Sequence, residues 1–313
     1  MTATADLIIE RRQMRRRLAL WRILAIVAVI GAVITGIASS GFGLGGERQS
    51  GDHVAVVRID GIILSDAKRA AELRKIAEDD TAKALVVQIN SPGGTVTGSE
   101  DLFDNLRKVA ENKPVVAQMG DAAASGGYIA AIAADHIVAR GNSITGSIGV
   151  VAEAPNIARF LAENGIDVIR IKSSPLKAEP GFLTPPAEGS IEAQQALIAD
   201  SFQWFKGLVG ERRSLEGASL DAVSDGRIFT GRLALEAKLV DALGARAEVD
   251  TWLEETHEID SDLERRERDW REPEVPWFLR TGAAALGLGD WIDRLAPAAA
   301  RLQPGFRLYA IMH

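Results

Sequence analysis

Ala84-Leu85-Val86-Val87-Gln88-Ile89-Asn90-Ser91-Pro92-Gly93-Gly94 joins a β-branched apolar run to a turn closed by two glycines. The run from Ala84 to Asn90 is short and rich in residues that pack on a pleated surface, so it reads as a strand. Similar runs recur at His53 to Asp60, Pro114 to Met119, His136 to Ala139 and Asp167 to Ile171. Between them lie helical patterns, Ser65 to Glu78, Gly98 to Asn112, Ser125 to Ala134 and Pro155 to Asn164, each beginning or ending at Ser, Asn, Gly or Pro. Strand and helix alternate, which predicts an α/β fold with a largely parallel sheet. Past Thr184-Pro185-Pro186, Leu197, Ile198, Phe202, Phe205 and Leu208 recur at helical spacing and predict a packing helix from Ser190 to about Arg213.

Outward from this body the chain changes character at both ends. Residues 1–22 hold six arginines against Asp6 and Glu10, a net +4, so the remainder carries −7 − 4 = −11. Eighteen uncharged residues follow from Ile23 to Ser40, about 27 Å as a helix at ~1.5 Å per residue, nearly a bilayer core. Arg11 to Arg17 precede the run, and Trp21 with Arg22 stands where an interface anchor belongs. The pattern predicts a transmembrane anchor with its basic end in the cytoplasm. A cleaved secretory signal shares these features, and Ala38-Ser39-Ser40 offers it a cleavage site. The expected organisation is a basic cytoplasmic segment (1–22), anchor (23–40), linker (41–52), main domain (53–250) and a tail (251–313) that is either amphipathic or solvated.

Composition excludes several classes. The absence of cysteine removes disulfides, cysteine nucleophiles and thiolate metal sites. The four histidines, His53, His136, His257 and His313, have no metal-ligand spacing, so neither a metal nor a cofactor is expected. An acidic body argues against nucleic acid.

Two segments suggest chemistry. In Ile89-Asn90-Ser91-Pro92-Gly93-Gly94 the glycines let backbone N–H groups face a site, as an oxyanion hole or phosphate loop requires, although a plain tight turn has the same sequence. In Gly120-Asp121-Ala122-Ala123-Ala124-Ser125-Gly126-Gly127-Tyr128 the serine stands where a helix begins, a position most often taken by an N-cap. Its small neighbours leave room for a substrate backbone, and Gly126 offers a second N–H. A nucleophilic serine needs a base. His136 lies past the helix that Ser125 opens and reads as structural. Lys177 stands in the Pro-bounded loop Ser173-Ser174-Pro175-Leu176-Lys177-Ala178, where desolvation would favour its neutral form; a snorkelling surface lysine is the alternative.

Together with Thr145-Gly146-Ser147-Ile148-Gly149-Val150, Gly226-Arg227-Ile228-Phe229-Thr230-Gly231 and Leu239-Val240-Asp241, these motifs resemble the short form of signal peptide peptidase A over about residues 53–247. The resemblance implies a crotonase-like fold of stacked ββα turns, akin to the caseinolytic protease. It implies Ser125 as nucleophile, Lys177 as base, Gly94 and Gly126 as oxyanion donors, and Ser147 and Gly93 in support. It further implies a membrane-anchored endopeptidase of the cell inner membrane, with a periplasmic catalytic domain that degrades remnant signal peptides. In that family the subunits form octamers, with serine and lysine meeting across neighbours. Ala178 and Glu179 follow the lysine where family members often place Asp. Two other readings are an acyl-CoA hydrolase or hydratase on the same fold and a catalytically inactive membrane scaffold.

Overall fold

The computed structural model describes residues 51–270, Trp21, and the backbone of residues 309–311. The expected anchor, 23–40, lies outside the described residues. The chain separates into two units, Met1–Ser50 and Gly51–His313, and the second carries the fold.

Its centre is a mixed sheet. Strands β1 (His53–Ile63), β2 (Ala82–Thr95) and β3 (Val115–Ala124) pair in parallel. Helices α1 (Ala67–Glu78) and α2 (Val96–Ala110) supply the two crossovers, as parallel neighbours require. Each helix start is fixed locally: Asp66 Oδ1 accepts from the N–H groups of Lys68 and Arg69, and Thr95 Oγ1 accepts from that of Gly98.

Alternation along β1, β2 and β3 feeds two cores. Leu85, Val87 and Ile89, with Val115, Ala117 and Met119, bury against Leu73, Ile76, Leu102, Leu106 and Val109 of α1 and α2. The same face takes Ile129 and Ile132 of α3 (Gly126–Ile132) and Phe205 and Val209 of the long helix Ser190–Arg213. Val54, Val56, Ala84, Val86 and Val116 face the other way, onto Val249 and Leu253 of a later helix. A sheet covered on both faces has continuous apolar strands, which is why Ala84–Val87 shows no polar alternation.

At its far end β3 forks. Val116–Gln118 pairs with β4 (His136–Ala139), whereas Ala122–Ala124 pairs with β5 (Ile144–Gly146). After β5 come α4 (Ala158–Glu163), α5 (Ser190–Arg213), α6 (Gly217–Val223), β6 (Ile228–Thr230), α7 (Gly231–Glu236), β7 (Ala242–Leu243), α8 (Arg246–His257) and β8 (Glu264–Glu267). The helix that carries Val249 and Leu253 is α8, and β8 adds a parallel edge beside β1. Residues 251–267, which the sequence analysis placed in the tail, thus finish α8 and supply β8.

One expected strand is missing. Asp167–Ile171 forms no strand, and Ile169 and Ile171 are 87% and 97% exposed. A strand exists only by pairing, and among the described residues this segment has no partner strand.

Candidate active site

Strand β2 outruns its neighbour. Pairing with β3 ends at Ser91 and Ala123, but β2 continues through Gly93, Gly94 and Thr95. On one side these residues are held by β1, with Ile62 opposite Gly93 and Ile63 opposite Gly94. Their other edge, where β3 has turned away, is taken by β9 (Tyr309–Ile311) in antiparallel register: Gly93 with Ile311, Gly94 with Ala310, Thr95 with Tyr309. The edge therefore accepts an extended peptide, hydrogen-bonded through its backbone.

Ser125 stands beside that edge, where β3 ends and α3 begins. An N-cap serine has extended backbone, and its oxygen accepts from the first turn. Ser125 has φ 53° and ψ −117°, makes no side-chain cap, and is fully buried, with Oγ lacking a hydrogen-bond partner among the described residues. Backbone bonds impose this conformation: Ser125 N–H donates to Gly146 O at 2.8 Å, and Ser125 O accepts from the N–H groups of Tyr128 and Ile129 at 2.9 and 3.0 Å. A non-glycine residue in this region costs roughly 1–3 kcal/mol. The strained backbone and the missing cap bond set Ser125 apart from an N-cap serine.

The glycines expected as oxyanion donors meet here. A Cβ on Gly126 would lie 2.3 Å from Ser99 Oγ, 3.0 Å from Gly94 N and 3.3 Å from Gly93 Cα, so only glycine admits so close an approach of the two backbones. As the first residue of α3, Gly126 has an N–H that no helical carbonyl can take. Ser91 braces the loop, its Oγ donating to Gly61 O at 2.6 Å and accepting from Gly93 N–H at 3.1 Å. Ser147 follows the residue paired with Ala124, which brings it next to Ser125; its φ is 52°, and its N–H donates to Arg227 O at 2.8 Å. Tyr128 anchors α3, its buried OH donating to Leu239 O at 2.8 Å, and burial pushes its phenol up.

Neither candidate base reaches Ser125 within the described residues. His136 pairs opposite Val116, nine residues back along β3 from the serine, or roughly 30 Å at ~3.3 Å per residue. Its ring stacks on Trp252 at 4.9 Å, and burial lowers its pKa, so it is a packed, neutral side chain. Lys177 lies in the exposed loop between α4 and α5, and its side chain makes no hydrogen bond to any described residue. Sequence reasoning also missed a recess. Ile59, Ile62, Ile63, Leu64 and Ala67 line a cavity of about 470 Å³ together with the charged Arg58, Asp60, Asp66 and Arg69, and Trp270 walls it, its Nε1 donating to Asp66 Oδ2 at 2.8 Å. The apolar residues after Gly61 were its signal; nothing local to Trp270 announces its part.

A strained serine at a strand-to-helix turn, two close glycine backbones and a strand edge open to an extended chain together define a serine hydrolase of mixed α/β architecture, equipped for peptides. The comparisons make the class specific. Residues 107–260 match the model of peptidase family S49, and residues 64–141 match that of Clp protease. A putative protease of Synechocystis sp. is 38% identical over 212 residues, which cover 67% of this chain and 76% of that one. The chain therefore belongs to peptidase family S49 and is a serine peptidase. Protease 4 of Haemophilus influenzae is 32% identical over 206 residues but is matched over only 33% of its length, and a putative signal peptide peptidase of Enterococcus faecium is 30% identical over 174 residues, 51% of its length. A solved membrane-bound stomatin-specific protease superposes with a TM-score of 0.44 at 15% identity, over 70% of this chain and 99% of that one, too loosely to bear on the site.

Proposed function

We propose that this chain is a membrane-anchored endopeptidase of crotonase-like, stacked ββα architecture that cleaves apolar peptides, remnant signal peptides among them, through a Ser125/Lys177 dyad completed between subunits. The observation that carries the proposal is the pairing of a strained Ser125, its Oγ without a partner among the described residues, with a β2 edge that takes an extended chain. The substrate lies along Gly93–Thr95, and its apolar side chains enter the recess between Ile62 and Trp270.

Lys177 belongs to a face suited to another copy of the chain. Phe160, Ile166, Ile169, Ile171, Leu176 and Phe182, in the chain segment that carries it, are all exposed, an apolar concentration characteristic of an interface. In the assembled site, Lys177 of one subunit takes the proton of Ser125 Oγ in the next. The oxygen attacks the scissile carbonyl, while Gly94 and Gly126 N–H groups receive the negative charge, each worth ~3 kcal/mol of barrier. The lysine ammonium then protonates the leaving amine, and water activated by the same lysine releases the acyl group. Ser147 and Gly93 hold the base and the oxyanion loop.

Among the described residues no helix is long and apolar enough to cross a membrane; the anchor of the proposal is the run 23–40, with the peptidase on the periplasmic side of the inner membrane. A serine-reactive fluorophosphonate should label Ser125, as located by mass spectrometry, and Ser125→Ala should lose both labelling and hydrolysis. Labelling elsewhere with undiminished hydrolysis in Ser125→Ala would refute the proposal. Digestion of the body in intact spheroplasts by added protease tests its orientation, and full protection would contradict it.

A further inference from the structure

The loop that carries Lys177 is organised around one buried carboxylate. The side chain of Glu179 is 3% exposed. Its Oε1 accepts from Arg170 Nη1 at 2.7 Å and Lys172 Nζ at 2.6 Å; its Oε2 accepts from Gly181 N–H at 2.9 Å and Ala187 N–H at 3.4 Å. The two cations do not stop at Glu179. Lys172 Nζ also donates to Pro175 O at 2.6 Å, and Arg170 Nη2 donates to Ala178 O at 2.8 Å. Pro175 and Ala178 are the two sides of the turn whose exposed tip is Leu176-Lys177. Glu179 O in turn accepts from Gln194 Nε2 of α5 at 3.2 Å, tying the turn to the longest helix. Lys172 and the other donors hold the Glu179 carboxyl below the usual carboxylate range, so it is ionised throughout the neutral region.

We propose that Glu179 is a positioning residue: through Arg170 and Lys172 it clamps both sides of the turn that projects Lys177, so that the base is offered to a neighbouring subunit in one preset geometry. The inference rests on the reading of Lys177 as the base. Without a clamp, an exposed lysine on a surface loop samples many rotamers and backbone positions, and each ordering step adds to the barrier. The carboxylate removes that cost before the subunits meet, through charge-assisted bonds from two cations and two backbone N–H groups. Glu179 touches neither substrate nor Ser125. It acts on the reaction through the position of Lys177 alone.

The test uses the full chain in detergent and four variants: Glu179→Gln, Lys172→Met, Lys177→Met and Ser125→Ala. Glu179→Gln removes the charge that gathers the donors while keeping the volume. We expect kcat to fall about 100-fold, the scale of a misplaced catalytic group, with KM within about twofold of wild type because the peptide edge and recess lie on other elements. Lys172→Met releases only the Pro175 side and should lower kcat about tenfold, which keeps the test decisive if Glu179→Gln does not fold. Mixing Glu179→Gln with Ser125→Ala should raise activity well above either alone, since each supplies what the other lacks. A general structural defect would move KM, the melting temperature and oligomer size together and would not be complemented. Near-wild-type kcat in Glu179→Gln or in Lys172→Met, with Lys177→Met inactive, overturns the inference and leaves the dyad standing. Full activity in Lys177→Met overturns the dyad itself.

Discussion

Replacing Gly126 by alanine tests the proposed oxyanion hole with a single methyl. The new Cβ would stand 2.3 Å from Ser99 Oγ, and Ser99 is buried with its hydroxyl donating to Thr95 O at 3.0 Å, so it has little room to yield. Opening that contact to about 3.0 Å, the shortest a Cβ tolerates, requires about 0.7 Å of movement. Gly94 N, itself 3.0 Å from the same Cβ, blocks retreat in its own direction. The movement is therefore borne by the Gly126 N–H, one of the two groups proposed to receive the oxyanion. Misplacement on this scale costs about 100-fold in rate, and overpacking of a tight site costs about 1–3 kcal/mol of stability. On a fluorogenic apolar peptide, Gly126→Ala should lose about 100-fold in kcat with little change in KM. Adding Ser99→Ala removes the nearest obstacle and should restore about tenfold, the Gly94 contact remaining. A folded Gly126→Ala enzyme within about threefold of wild type would refute the reasoning, because the N–H would then be shown to play no part.

Further expectations follow from other parts of the site. Ile62 is 59% exposed at the mouth of the recess, so Ile62→Asp should change the melting temperature little while lowering kcat/KM for apolar peptides about tenfold; equal turnover would remove the recess from the substrate path. Because β9 pairs with the edge proposed for substrate, deletion of residues 309–313 should lower KM several-fold, and an unchanged KM would mean that the strand does not compete. Burial depresses the pKa of His53 and of His136 below the ordinary 6.5. Below that value the unfolded chain takes up protons that the folded chain refuses, so the stability these histidines contribute is intact above about pH 6.5 and declines as pH falls toward their folded pKa values. Each contributes up to about 1.4 kcal/mol per pH unit. Urea midpoints should fall between pH 7 and pH 5, less steeply in His136→Gln, and a flat profile would contradict this.

Residues whose roles are set by local pattern were legible. Ala84–Asn90, Val115–Met119 and His136–Ala139 lie in strands, and Ser190–Arg213 is a helix with the expected limits, because apolar β-rich runs and helical spacing act within a few residues. Asp167–Ile171 was misread for the complementary reason: its sequence suits a strand, but pairing depends on a partner that the described residues do not provide. Strands β5, β6 and β7, of three, three and two residues, carry too few residues for a period and exist through register with neighbours. At the site, the motifs singled out Ser125 and the glycines that the fold brings together, yet not the backbone of Ser125. Its positive φ comes from Gly146 and from α3, residues distant from or downstream of the serine. The Glu179 clamp went unseen because a carboxylate near Arg170 and Lys172 reads as an ordinary surface ion pair until its burial is known. Lys177 was singled out by a loop motif, and its exposure is a property of the single chain that no motif encodes.

The central claim, that Ser125 and Lys177 form one catalytic unit, is tested most directly by hydrolysis of a fluorogenic apolar peptide by the solubilised full-length protein from pH 6 to 10, with wild type, Ser125→Ala and Lys177→Met compared. The account predicts a wild-type rate that rises along one basic limb and activity reduced to background in both variants. Activity that survives in Ser125→Ala, or a Lys177→Met enzyme that keeps the wild-type rate and limb, would contradict it.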